Sequence, residues 1–220
     1  MLTTRESIKT LLGLSGSTAE DSKIDIWLAA ADRAIKTYCG QNFELATYTD
    51  YYTGNNQYKL ALRQVPVVSI TGVWQDNSGY YGDPASAFGA GTQLTEGVHF
   101  TLDRQYDGQP SLTGILLRLG TVWPVLQRVG LYGRVTADVH PAWGNIKVTY
   151  QAGYATIPSD LAYACMLLVA QMRRTYAQGG YNIESERIGD YSYTLALNTL
   201  HQNNLASVNT ILALYKQLGW

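Results

Sequence analysis

Residues 148–164 have the sequence VTYQAGYATIPSDLAYA, in which a strand pattern gives way to a helix pattern. Residues 146–150 are rich in β-branched and aromatic side chains, as expected of a β-strand. Pro158 stands near the start of the following helix, where the missing N–H of proline costs little. Asp160 lies in the first turn, where the helix dipole favours a negative charge. The segment therefore predicts a strand, a turn and a long helix in immediate succession.

The helix after Pro158 is predicted to lie at the centre of its domain, because its apolar residues cover a wide arc. Arg173 and Arg174 lie near its end, as the helix dipole favours, and Gly179 and Gly180 end it. The apolar set comprises Leu161, Ala164, Cys165, Leu167, Leu168, Val169 and Met172.

Two further helices are predicted near the N-terminus, over residues 4–12 and 21–39. Thr4 supplies a weak cap for the first helix, and Gly13 ends it. The second helix carries one apolar stripe and ends before Gly40, a residue that readily adopts the left-handed conformation at a helix end. The stripe comprises Ile24, Leu28, Ala31, Ile35 and Tyr38.

A final helix is predicted over about residues 204–218, after a connecting stretch at residues 184–197 that is extended around residues 191–194. The helix has almost no charge except Lys216. Such a helix must be covered either by its own domain or by another chain. Its stripe comprises Leu205, Val208, Leu212 and Tyr215.

Residues 41–150 show successive strand patterns without intervening helices, which predicts a mostly antiparallel sheet. Residues 47–53 and 58–62 flank Gly54-Asn55-Asn56 and are predicted to form a hairpin. The remaining strands are predicted at residues 67–74, 98–102, 115–119 and 146–150.

Two long irregular segments, residues 77–97 and 120–143, interrupt the strand region. Loops longer than about 15 residues are uncommon in compact domains and are often functional. Each segment is a functional loop, a floppy insertion or a missed strand. The predicted fold class is α+β, a helical bundle of N- and C-terminal helices (residues 1–43 and 151–220) with an inserted, mostly antiparallel β region (residues 44–150).

The composition favours a protein that packs against neighbours. Charged residues make up 15% of the chain, below the roughly 25% typical of soluble domains. The 17 tyrosines suit contact surfaces, or they simply replace charges on an ordinary surface. The net charge of -1, with Arg173-Arg174 as the densest basic spot, argues against a dedicated nucleic-acid binder.

The N-terminus and the cysteines indicate where the protein is made. Met1 is followed by a polar run, so we expect no signal peptide, and no apolar stretch approaches the roughly 20 residues of a membrane span. Cys39 and Cys165 are far apart, each within a helix pattern, and are predicted to be buried free thiols. We expect assembly in a reducing cytoplasm and no membrane partner.

No constellation for catalysis or metal binding stands out. Residues 13–17 and 89–91 match a nucleophile elbow and a dinucleotide fingerprint only in part. Three histidines lack a partner at metal-ligand spacing, namely His99, His140 and His201. The loop carboxylates Asp103, Asp107 and Asp138 could pair as in glycoside hydrolysis. Carboxylates in loops are, however, usually just solvated. We therefore predict a protein that is not an enzyme and has no cofactor.

Five segments carry a family resemblance through their order and spacing. They are residues 32–40 (DRAIKTYCG), the proline-led strand at 65–73 (VPVVSITGV), the strand at 94–102 (LTEGVHFTL), the strand-turn-helix at 148–164, and residues 184–193 (ESERIGDYSY). They resemble the head-tail connector proteins of long-tailed double-stranded DNA bacteriophages, also called adaptor or head-completion proteins. The sequence departs from compact members of that family in its expanded middle.

The resemblance implies a ring, typically twelve-fold, docked beneath the portal protein in the neck of the virion, between capsid and tail. Such a ring extends the channel through which double-stranded DNA passes without specific binding, and it offers a platform for the next neck or tail protein. The final helix would contact the portal. The expected interface residues are Tyr80, Tyr81, Arg187, Asp190, Tyr191, Leu205, Val208, Leu212, Tyr215 and Trp220.

Three other functions stay open at this stage. A tail-completion or stopper protein of the neck shares small helical and strand parts with the connector proteins. A DNA-packaging factor would need the basic patch that this chain lacks. An enzyme would need a site constellation, and none is visible.

Overall fold

The computed structural model describes residues 1–76, 88–125, 144–177, 185–188, 191–194 and 197–216. Over these residues the protein is α+β, with four α-helices and antiparallel sheets. The chain divides into two compact units. The helical unit combines Met1–Glu44 with Ala155–Gly219, and the β unit is Leu45–Tyr154.

The helical unit is built from helices that contact one another. The helices are α1 (Arg5–Leu11), α2 (Asp21–Cys39), α3 (Ser159–Ala177) and α4 (Leu197–Tyr215). Helix α3 contacts each of the other three, as its wide apolar arc predicts. Thr4 caps α1 by accepting a hydrogen bond from the backbone N–H of Ser7, and Gly40 ends α2 in the left-handed conformation with φ 72°.

Two predictions for the helices need correction. Tyr38 is 46% exposed, and Cys39 takes its place on the buried face of α2, because Cys39 lies one turn beyond the buried Ile35. Helix α4 begins at Leu197 and not near residue 204. Residues 197–204 contain no proline or glycine, so the backbone continues as a helix although polar residues hide the apolar period.

Nine strands form three sheets among the described residues. In chain order they are β1 (Ala46–Tyr52), β2 (Lys59–Ala61), β3 (Val67–Gln75), β4 (Gln93–Leu94), β5 (Phe100–Leu102), β6 (Ile115–Arg118), β7 (Ile146–Ala152), β8 (Ser185–Ile188) and β9 (Tyr191–Thr194). The sheet orders are β1-β7-β3-β4, β2-β6-β5 and β8-β9, and the strands of each sheet run antiparallel to their neighbours.

The predicted hairpin across Gly54-Asn55-Asn56 is wrong. Strand β1 pairs with β7, from Ala46 opposite Ala152 to Tyr52 opposite Ile146, and β2 pairs with β6. The turn is instead held by a distant part of the chain, because the backbone N–H of Asn56 donates to the carbonyl of Trp123 over 2.8 Å. A local turn signal therefore gave way to long-range pairing.

The long irregular segments contain structure that the sequence pattern did not reveal. Residues 88–97 include a short 3-10 helix at Ala90–Thr92 and the edge strand β4, while residues 77–87 lie outside the described residues. Trp123 is fully buried in the core of the β unit, and residues 126–143 lie outside the described residues. The core surrounding Trp123 includes Val67, Val73, Phe100, Leu116, Ile146, Val148 and Tyr150.

Candidate interaction surfaces

The inner face of α4 is packed within the helical unit. Val208 and Leu212 are buried, and the Cys39 thiol lies 3.8 Å from the carbonyl oxygen of Leu212. The Tyr215 hydroxyl donates to the Asp160 carboxylate, with distances of 2.8 and 2.9 Å to its two oxygens. The side-chain amide of Gln41 donates to the Tyr215 carbonyl over 2.9 Å. These contacts fix the C-terminal half of α4 against α2 and α3.

The outer face of α4 is exposed and uncharged between residues 206 and 214. Leu214 is 77% exposed, the most exposed large hydrophobic residue among those described. The other exposed residues of this face are Ala206, Ser207, Asn209, Thr210 and Ala213. A helix face without charges is typical of a surface that another protein covers.

Several basic side chains of the helical unit are paired with acidic ones. Arg5 makes a bidentate ion pair with Asp25, with distances of 2.7 and 2.5 Å. The buried Lys9 lies 3.0 Å from Asp21, and Arg173 lies 2.6 Å from Glu20. Arg173, in the densest basic spot of the sequence, is therefore partly neutralised, which removes much of its attraction for phosphates.

Glu44 ties the chain terminus to α2. Its carboxylate accepts from the Lys36 ammonium over 2.7 Å and pairs with the N-terminal amine of Met1. Partial burial by itself would raise the pKa of Glu44, but the hydrogen bonds from Lys36 and the amine outweigh it and lower the pKa to about 2. The carboxylate is therefore held in its charged form.

Replacing Glu44 with glutamine is expected to lower the melting temperature at neutral pH by removing this ion pair. Because the folded-state pKa is lowered from 4.5 to about 2, the stabilisation is present above pH 4.5 and is lost as the pH falls towards 2. Melting curves of both proteins across that range should therefore converge. Glu6→Gln is the control, because the Glu6 side chain is 76% exposed and 3.8 Å from Lys9. A melting-temperature difference for Glu44→Gln that does not vary with pH would contradict this assignment.

The chain next to both long segments of the β unit is bonded to Asn145, which immediately precedes β7. The Asn145 side chain accepts from the backbone N–H of Gly54 and donates to the carbonyl of Pro124, both over 2.9 Å. Its backbone carbonyl accepts from the N–H of Asp76 over 2.8 Å. The N–H of Gly144 donates to the Thr53 hydroxyl over 3.1 Å. Asp76, just before residues 77–87, and Pro124, just before residues 126–143, are thus both bonded to the buried Asn145.

Two buried tyrosines hold the chain before β3 against the first sheet. The hydroxyls of Tyr150 and Tyr52 donate to the Asp50 carboxylate over 2.7 and 3.1 Å. The same hydroxyls accept from the backbone N–H groups of Gln64 and Arg63. Burial raises the pKa of Tyr52 to about 12 and also raises that of Tyr150, so both phenols stay neutral. This cluster fixes a turn and does not resemble a reactive centre.

The structure gives positions to only some of the ten predicted interface residues. Val208, Leu212 and Tyr215 lie on the packed side of α4. Arg187 lies in β8, Tyr191 in β9 and Leu205 in α4, each placed by its backbone. The others, Tyr80, Tyr81, Asp190 and Trp220, lie outside the described residues. The role of all ten in an interface stays a prediction.

Two of the residues considered for chemistry have structural partners. His99 accepts from the backbone N–H of Thr95 over 2.9 Å, and Asp103 accepts from the Thr113 hydroxyl over 3.3 Å. Cys39 and Cys165 are buried free thiols, as predicted. Within the described ranges, no group of three or more His, Cys, Asp or Glu residues could hold a metal ion. None of the described helices combines the length and the hydropathy of a membrane span.

A family model described as head completion protein matches residues 1–97 of the chain. Over these residues, the chain is similar to head completion proteins. The match confirms the predicted family resemblance, and it covers α1, α2 and the strands up to β4. No curated protein matches the chain.

The head completion match is accompanied by similarity to solved structures over almost the whole chain. One is the neck of an empty gene transfer agent (GTA) particle computed with C6 symmetry, with 18% identity, a TM-score of 0.54, and coverage of 97% of this chain and 88% of that chain. Another is the virion of a native gene transfer agent particle, with 18% identity, a TM-score of 0.52, and coverage of 97% and 89%. At this identity the similarity shows a shared fold.

Proposed function

We propose that the chain is a structural subunit of a head-tail connector ring, in the neck of a tailed phage or a phage-like particle. The ring docks on the portal protein, extends the DNA channel and provides the platform for the next neck or tail protein. The match of residues 1–97 to head completion proteins carries this proposal. The fold shared with the GTA neck structure over 97% of the chain supports it.

The proposed subunit forms a ring through heterologous contacts, in which one surface of each copy meets a different surface of the next. The GTA neck in the solved structure was computed with C6 symmetry. A twelve-fold ring around the portal is compatible with that symmetry. In this proposal the N- and C-terminal helices form a bundle, and the β unit is inserted between them in the sequence.

The ring performs no reaction and does not grip the DNA that passes through it. The ion pairs of Arg5, Lys9, Lys36 and Arg173 neutralise four basic side chains of the helical unit, and the chain as a whole has a net charge of -1. Clustered unpaired cations are what a tight duplex binder needs, because they displace counterions from phosphates. DNA therefore moves past a surface with little net attraction.

The outer face of α4 is the proposed contact with the portal. Leu214 and the small uncharged residues around it remain exposed after the inner face has packed. A partner that covers them removes apolar surface from water at roughly 25 cal/mol per Å². Helix α4 then contacts two bodies, its own unit on one side and the partner on the other.

Electron microscopy of the purified protein, with and without its portal protein, tests the proposal. We expect rings, formed either by the protein alone or only in the presence of portal. A permanently monomeric protein that leaves the portal undecorated would refute the connector function. Rings that bind a preformed portal–connector complex, but not the portal itself, would favour a stopper, which is the second candidate.

Leu214→Arg tests the assigned surface of α4 in the same experiment. We expect portal decoration to be lost with an unchanged melting temperature, because the side chain is 77% exposed and contributes little to folding. Leu11→Arg on α1 is the matched control, since Leu11 is also an exposed leucine of the helical unit. Equal decoration by the two variants would remove α4 from the proposed contact.

A further inference from the structure

The outer edge of β1 is a long strand edge with a regular backbone. Among the described strands β1 has one neighbour, β7, and it stands at the end of its sheet. Its seven residues pair with β7 without a register shift, whereas β3 is interrupted by two irregularities in its pairing with β7. A long regular edge of this kind is a template for a strand from another chain.

Three alternate residues of β1 direct their backbone groups to the outside, and two of them are open to a partner. The carbonyl of Tyr51 accepts from the Arg63 guanidinium over 3.2 Å, so it points away from β7. Because the register is unbroken, Thr49 and Thr47 point the same way. The hydroxyls of Thr49 and Thr149 lie 3.1 Å apart, as expected of the closely spaced pairs that share no backbone hydrogen bond. The edge therefore offers the N–H and C=O groups of Thr47 and Thr49, while Arg63 covers the end at Tyr51.

The β8-β9 hairpin is suited to pair with such an edge, because it would gain stability from a further strand. Its strands have four residues each, and their principal contacts among the described elements are with each other. An isolated two-stranded hairpin is at best marginally stable in water, so a further strand would stabilise it. Ile188 pairs with Tyr191 across two intervening residues, which makes this a hydrogen-bonded pair. By alternation, the backbone groups of Ser192 and Thr194 point away from β8.

We propose that β9 of one copy adds to the outer edge of β1 of the next copy, antiparallel, with Ser192 opposite Thr49 and Thr194 opposite Thr47. This inference rests on the proposed ring. Two outward residues on each strand form four backbone hydrogen bonds in this register, and the antiparallel arrangement is the more stable per residue. The contact is heterologous, since β1 and β9 are different surfaces, and repetition of such contacts closes a ring.

The sequence of the hairpin explains why β9 and not β8 is the pairing strand. Strand β8 contains Glu186 and Arg187, and charged residues on an edge strand disfavour pairing with another chain. Strand β9 has the sequence YSYT, without charge and with residues that favour strands. One edge of the hairpin is thus protected and the other is suited to a partner.

Disulfide formation between separately produced variants tests the pairing in the full-length chain. Thr49→Cys and Ser192→Cys proteins are mixed under ring-forming conditions, with portal where the ring requires it, and oxidised mildly. The paired Cα atoms would lie about 5.5 Å apart, within the range that a disulfide spans. The native thiols give little background, because burial raises the pKa of Cys165 to about 12 and also raises that of Cys39. We expect a covalent dimer from the mixture and a ladder of multimers from the double variant.

The matched control is Thr37→Cys, an exposed threonine on α2, which should give no covalent dimer with Ser192→Cys. Dimers of Thr49→Cys alone would show that two β1 edges pair around a two-fold axis, and would overturn the proposal. A disulfide within single chains of the double variant would also overturn it. Rings without the mixed dimer would refute the strand pairing and leave the connector function intact, whereas absence of rings with portal would refute the function itself.

Ser192→Pro provides a second test that needs no disulfide. Proline removes the outward N–H of Ser192, which the β8-β9 pairing does not use, and proline is tolerated on edge strands in that position. We expect loss of rings with an unchanged circular dichroism spectrum, while Ser192→Thr keeps them. Normal rings from Ser192→Pro would contradict the proposed pairing.

Discussion

Replacing Trp123 with alanine is expected to lower the free energy of unfolding of the β unit by about 3–5 kcal/mol, the usual cost of truncating a buried tryptophan. Trp123 is fully buried, and its indole N–H donates to the carbonyl of Leu116 over 3.3 Å. Its backbone also bonds to Asn56 and Gln57. Trp123 therefore links the turn before β2 to strand β6 of the second sheet. Denaturant unfolding followed by circular dichroism measures the change.

Tyr106→Ala is the control for Trp123→Ala. Tyr106 is an aromatic residue of the same unit, but it is 67% exposed, so its truncation should change stability by less than about 0.5 kcal/mol. Similar unfolding free energies for the two variants would mean that Trp123 is not part of a cooperative core.

Replacing Asn145 with alanine is expected to cost roughly 2–6 kcal/mol, because one buried and one partly buried backbone group lose their partners at about 1–3 kcal/mol each. Those groups are the N–H of Gly54 and the carbonyl of Pro124. The site cannot relax easily, since a Cβ atom on Gly54 would lie 1.9 Å from the Pro124 oxygen. The same denaturation experiment measures the loss.

Asn55→Ala is a matched control for Asn145→Ala. Asn55 also accepts from one backbone N–H, that of Gln57, and donates to one backbone carbonyl, that of Lys59, both over 3.0 Å. Both bonds are exposed, so water replaces the side chain, and we expect a loss of about 1 kcal/mol or less. Equal losses at the two asparagines would show that burial is not what makes Asn145 important.

The helices were largely predictable because their signals are local. An apolar period, a capping Thr4 and a terminal Gly40 define α1 and α2 within one or two residues. The start of α4 was missed because residues 197–204 have little apolar period and only their backbone propensity supports a helix.

The strand pairing was not predictable from local signals. The turn residues at 54–56 suggested a hairpin, but β1 finds its partner about a hundred residues later in β7. What decides the pairing is a set of side chains that meet only after folding, such as Asp50 with Tyr150. Non-local contacts of this kind leave no mark in a short window of sequence.

The candidate surfaces were predictable in kind and only partly in place. The low charge and the many tyrosines suggested contact surfaces, and α4 was expected to be covered either by its own domain or by another chain. Sequence spacing alone could not show that Val208 and Leu212 face inwards while Leu214 stays exposed. The open edge of β1 left no signal, because an edge strand and a central strand have similar local patterns.

The shared anchor at Asn145 has an evolutionary consequence. The carbonyl of Pro124, just before residues 126–143, accepts from the side chain of Asn145, just after them, so the two ends of this segment are fixed to each other. Lineages can therefore change residues 126–143 while inheriting an unchanged scaffold, and a peptide tag inserted there should be tolerated for the same reason.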